Sequence, residues 1–80
     1  MPKGIGFEIL LTSPFTHEQL VAEIFADGEF VAAVSQERGK GLFDLEMAGP
    51  DLQESEVSRR IEARGFIEAM ERAMTVLSKA

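Results

Sequence analysis

Few residues in this chain could do chemistry, and they are scattered. His17 is the only histidine, and there is no cysteine. Zinc sites, iron–sulfur clusters and thiolate nucleophiles draw on Cys and His at fixed spacing. A Ser–His–Asp relay needs an acid that orients the imidazole. His17 follows Pro14 in a polar connection beside Glu18 and reads as an exposed loop residue. Glu23 lies inside an apolar run. A buried carboxyl there would be pushed towards its neutral form and could act as an acid or base. Paired-carboxylate chemistry would require a second acid on the same face, and Glu8 is the candidate. The competing reading has Glu23 facing a partner or guarding a sheet edge.

The basic residues cluster only at Arg59, Arg60 and Arg64, with Arg38 and Lys40 elsewhere. Arginines near a helix N-terminus can hold a phosphate or carboxylate. Here Glu54, Glu56 and Glu62 neutralise them, which favours a solvated mixed-charge surface. Gln36 to Gly41 carries two glycines and a lysine but lacks the G-x-x-x-x-G-K-[ST] spacing of a phosphate loop. Met70 and Met74 fall on an apolar helical stripe and read as core filling. The expectation is a chain with no catalytic residue, no metal ligand and no cofactor. A small-ligand binder using Glu23 or the arginines is the enzyme-like alternative.

Composition narrows the function classes. The chain has 80 residues, 45% apolar and 28% charged, with a net charge of −6. That balance describes one folded domain. An acidic surface opposes binding to nucleic-acid backbone and suits a basic partner. No apolar stretch reaches the length of a membrane span. Met1-Pro2-Lys3 opens no signal-peptide pattern. With cysteine absent, a cytoplasmic location is expected.

The elements that would position these residues follow from periodicity. Ile5, Phe7, Ile9 and Leu11 alternate with Gly6, Glu8, Leu10 and Thr12, a strand that Ser13-Pro14 stops. Leu20 to Ala26 and Glu29 to Ser35 flank Asp27-Gly28, which predicts a hairpin with a two-residue type I′ turn. An uninterrupted register would pair Phe25 with Phe30, Ile24 with Val31, Glu23 with Ala32 and Val21 with Val34. One face would then collect Leu20, Ala22, Ile24, Val31 and Ala33. The other would collect Val21, Phe25, Phe30 and Val34, with Glu23 among them. Leu42 to Met47 alternates again, setting Phe43, Leu45 and Met47 against Asp44 and Glu46. Ala48-Gly49-Pro50-Asp51 breaks the chain. From about Ala63, Phe66, Met70, Ala73, Met74 and Leu77 form one helical stripe. Glu56 to Glu62 fits either a short edge strand or the first turns of that helix. Gly65 favours a helix starting close to it.

The fold class expected is α+β: an antiparallel sheet of four strands, or five with the Glu56–Glu62 segment, and a C-terminal helix packed on one face. One helix covers one face, yet the central hairpin is apolar on both. Either a second copy of the chain covers the other face, through Val21, Phe25, Phe30 and Val34 or strand to strand at an edge, or Ser13 to Gln19 folds over it with Phe15.

The stretch LVAEIFADGEFVAAVSQE, Leu20 to Glu37, with an acidic strand and a terminal helix after it, resembles small uncharacterised bacterial proteins of the β-hairpin-plus-helix kind. The resemblance runs from Leu20 to Leu77. It implies a bacterial cytoplasmic protein and carries over no functional residue. The function expected is a non-enzymatic protein–protein interaction module acting as a homodimer. The alternative is a small acidic inhibitor, immunity-like, whose Glu23, Asp27, Glu29, Asp44, Glu46, Asp51 and Glu54 plug a basic site.

Overall fold

The computed structural model describes residues 6–47 and 61–80. Four strands, β1 (Phe7–Thr12), β2 (Val21–Ala26), β3 (Glu29–Ser35) and β4 (Asp44–Met47), precede one helix, α1 (Ala63–Lys79). The strands form an antiparallel sheet in the order β1-β2-β3-β4. The helix packs on one face of it, against β1, β2 and β3. The fold is α+β, as the order of periodic segments predicts. Glu62 caps the helix. The breaker at 48–51 and most of the ambiguous Glu56–Glu62 segment lie outside the described residues, as do Ile5, Arg59 and Arg60.

The Asp27-Gly28 turn forms because both residues take positive φ, 50° and 85°, which the type I′ geometry requires. It sets Ala26 opposite Glu29 and Phe25 opposite Phe30. The uninterrupted register fails one residue later. A bulge between Ile24 and Phe25 places Ile24 opposite Ala32, Glu23 opposite Ala33 and Ala22 opposite Val34. Val31 is the extra residue. Two residues then stand against one, and the side-chain parity of the rest of β3 reverses.

That reversal corrects the face assignment. Ala22, Ile24, Ala26, Val31, Ala32 and Val34 lie in the core under the helix. Val34 therefore does not share a surface with Phe25 and Phe30. The far face carries Val21, Glu23 and Phe25 from β2 and Phe30, Ala33 and Ser35 from β3. Val21, at 1% exposure, is buried there, and Phe25 and Phe30 are half-buried.

The helix sits close to the sheet because alanines meet it. Ala69 and Ala73 on α1 and Ala22, Ala26 and Ala32 on the strands are all buried. Leu77 fills the C-terminal end, and Phe66, Met70 and Met74 pack around the cluster. Leu45 pairs with Val34 and Met47 with Ala32, so both point to the helix side. They remain 42% and 66% exposed, because α1 lies towards β1 and β2.

At the start of α1 the Glu62 carboxylate accepts hydrogen bonds from Gly65 N at 2.7 Å and Arg64 N at 3.2 Å. A Cβ on Gly65 would lie 2.6 Å from Glu62 Oε1 and 2.9 Å from Phe7 Cε1. Ala at an internal helix position ordinarily gains about 1 kcal/mol over Gly. Gly65→Ala should instead lower stability, by roughly 1–2 kcal/mol, since it must displace either the cap or the Phe7 ring. Urea denaturation measures it, and adding Phe7→Leu should recover part of the loss. A stabilised Gly65→Ala protein would show that the close approach costs nothing.

Candidate functional site

The far face is built in rows set by the strand register. Glu8, Phe25 and Phe30 form one row, and Leu10, Glu23, Ala33 and Glu46 the next. Beyond them Thr12 pairs with Val21, and Ser35 with Asp44. Phe25 and Phe30 meet edge to face, with centroids 5.7 Å apart at 80°. This geometry suits the ring quadrupoles. Glu8 and Glu23 do share this face, one row apart on neighbouring strands. Glu8 in the same row and Glu23 in the next thus stand beside a small aromatic pair.

The β1–β2 connection, Ser13 to Leu20, reaches across to β4. His17 Nε2 lies 2.8 and 3.0 Å from the two carboxylate oxygens of Glu46. His17 Nδ1 lies 2.8 Å from Thr16 Oγ1. A nitrogen facing a carboxylate must carry the proton, so Nε2 donates to Glu46. In the neutral form of the ring, Nδ1 accepts from the Thr16 hydroxyl. The Glu37 carboxylate ties the same loop to the β3–β4 connection, accepting from Glu18 N at 2.8 Å and Gln19 N at 2.7 Å. The segment expected to fold over this face with Phe15 instead turns His17 inwards, onto Glu46. Phe15 stays fully exposed.

Glu46 is held below the usual carboxylate range, first by a hydrogen bond from the Ser35 side chain and then by one from His17. Ser35 is itself 1% exposed. These three residues form a structural latch across β3, β4 and the loop. The lone histidine has an orienting acid after all, and the two are far apart in sequence, which is why local spacing does not reveal the pair. Among the described residues the acid meets Nε2 and the hydroxyl of Thr16 meets Nδ1, the reverse of the order in a Ser–His–Asp relay.

The basic residues do not assemble an anion site among the described residues. Arg38 Nε pairs with Asp44 Oδ2 at 2.8 Å on the surface. Arg64 is exposed, and the Glu62 carboxylate already occupies the amides at the helix start. The Gln36–Gly41 loop closes on itself, Gln36 Oε1 accepting from Gly41 N at 3.1 Å. Among the described residues no three His, Asp or Glu are grouped to hold a metal. No described helix is long and apolar enough to cross a membrane. No family model, curated protein or solved structure matches the chain.

What the described surface offers is edges. Both β1 and β4 border the sheet. Leu10 and Leu11 on β1 are 44% and 42% exposed. A groove between β1 and α1 is lined by Phe7, Ile9, Glu68, Arg72, Thr75 and Val76. Periodicity in the sequence places Leu10 and Leu11 in a strand; only the sheet order shows that the strand is an edge.

The latch makes the fold sensitive to acid. A carboxylate whose folded pKa is depressed contributes stability above its unfolded value of about 4.3, and that contribution is lost as pH falls through the folded value. Glu46→Gln should therefore cost stability at neutral pH and flatten the loss between pH 5 and lower values, both read by thermal unfolding across pH. His17→Ala should lower stability at pH 7 by about 1 kcal/mol and release the loop, seen as faster exchange of the Glu18 and Gln19 amides. Wild-type protection of those amides in His17→Ala would remove the latch from this account.

Proposed function

We propose that this protein is a non-enzymatic protein–protein interaction module that works as a homodimer. The observation that carries this reading is the apolar surface at both borders of the sheet. Leu10 and Leu11 are exposed at β1, and Leu45 and Met47 at β4, with Leu42 in the connection before it. Unpaired strand borders with exposed aliphatic side chains are sites where another chain adds. An 80-residue chain also gains much from a partner, since a core this small supports limited stability. Of the residues expected to form the interface, Phe25 and Phe30 keep accessible surface on the far face, while Val21 and Val34 are buried.

The acidic far face favours a second reading, an inhibitor of a basic protein. Glu8 and Glu23 flank the aromatic pair there, and the chain carries a net charge of −6. Asp44 and Glu46 are engaged with Arg38 and His17, which leaves Glu8 and Glu23 on that face to meet a basic surface; Asp51 and Glu54 lie outside the described residues.

Salt separates the two. Two copies of an acidic chain repel, and screening relieves that repulsion, whereas capture of a basic partner weakens with salt. Light scattering coupled to size exclusion should give a dimer at micromolar concentration that tightens between low and high salt. A monomer at every concentration and salt would refute the homodimer.

A further inference from the structure

We infer that the groove between β1 and α1 receives an extended basic segment of another protein, which lies along β1 and sets lysine or arginine side chains against Glu68 and Glu71. Such a partner is additional to a second copy of the chain, and either association can exist without the other.

The groove has an apolar floor and an acidic lining. Phe7 and Ile9 from β1 and Val76 from α1 supply the floor. Val76 is 38% exposed there. Glu8, Glu68 and Glu71 supply the acids, and all three are exposed. Among the described residues none of them makes an ion pair. Arg72 is the one cation in the lining, and its Nη2 donates to the Phe7 carbonyl at 3.3 Å. Three carboxylates against one guanidinium leave the groove negative.

That pairing of surfaces selects the occupant. An aliphatic segment would cover the floor and strand the carboxylates without partners. A lysine or arginine side chain meets both, with its stem on apolar surface and its charged head beyond it. The lining runs along α1 from Glu68 to Val76, about 12 Å of helix. About four residues of extended chain have that length. β1 borders the sheet, and among the described residues no strand lies beyond it. Its outer backbone groups can therefore hold an added strand. Alternate side chains of that strand fall on one face. One set enters the groove, and the other stands beside Leu10 on the far face.

Charge separates this site from its rivals. β4 is also a border, but its Asp44 and Glu46 are engaged with Arg38 and His17. Its exposed side chains are Leu45 and Met47, which give a cation nothing to meet. A second copy in the groove would bring its own Glu8, Glu68 and Glu71 against these, and like charges set together oppose association.

The test is fluorescence anisotropy of a labelled peptide of about eight residues, alternating lysine and valine. It is titrated with the full chain at about 0.15 M salt, where charges beyond about 8 Å are screened. Binding should saturate and weaken as salt rises. Glu68→Lys with Glu71→Lys should weaken it roughly tenfold or more, with an unchanged circular dichroism spectrum. Glu18→Lys with Glu29→Lys makes the same change in net charge away from the groove and should alter it less than about twofold. The amide signals of Ile9 and Val76 should move on titration. No binding, equal losses in the two double variants, or movement at Phe25 and Phe30 in place of Ile9 and Val76 would overturn the groove. Spermine binding as tightly as the peptide would replace the protein segment by a free polyamine and overturn it too. Sedimentation of the same chain reads the homodimer separately: a dimer that takes up no peptide sinks only this inference, and a monomer that takes it up sinks only the homodimer.

Discussion

The close seating of α1 on the sheet is the contact on which the rest depends. Alanines face one another across it, Ala69 and Ala73 from the helix and Ala22, Ala26 and Ala32 from the strands. Small side chains on both sides let the helix approach until Leu77, Ile24 and Val34 fill the space beside the contact. The same closeness is felt at Gly65, where a Cβ would meet the Phe7 ring and the Glu62 cap. A helix is about 10 Å wide, and strands stand about 4.8 Å apart. A helix drawn down over β1 and β2 therefore leaves β4 beyond its reach. The exposure of Leu45 and Met47 follows from the position of α1 and not from any polarity in that strand.

The bulge at Val31 is the second constraint, and it links the two faces. It turns Val31 and Ala32 towards the core opposite Ile24, so that the helix side gains an apolar residue. Beyond it, parity places Val34 inwards and Ser35 outwards. Ser35 thereby stands beside Asp44 on the face of Glu46 and helps hold that carboxyl low, and Glu46 in turn receives His17. One inserted residue thus completes the core and builds the support for the β1–β2 loop. The far face becomes part latch, around Glu46, and part open surface, around Phe25 and Phe30.

Two surfaces with different chemistry result. The β1 border offers backbone hydrogen bonds and aliphatic side chains, which suit another strand. The open half of the far face offers an aromatic pair between carboxylates, which suits a protein with a basic rim. The two do not overlap: one lies at the border of the sheet, the other on its face.

Local patterns determined the elements. Alternation marked β1 and β4, Asp27-Gly28 demanded positive φ and hence a tight hairpin, and the Phe66–Leu77 stripe at helical spacing predicted α1 and its buried side. The order of those elements determined the α+β class, since strands joined by short connections pair antiparallel. Tertiary structure decided what depends on residues distant in the chain. The bulge is invisible in LVAEIFADGEFVAAVSQE because period two reads the same through Val31; burying both Val31 and Ala32 against Ile24 is what selects it. Glu46 and His17, 29 residues apart, meet only once the sheet order brings β4 beneath the loop. The side the helix occupies, and so which apolar residues remain outside, follows from where alanines allow close approach, a property of two surfaces together that neither segment carries alone.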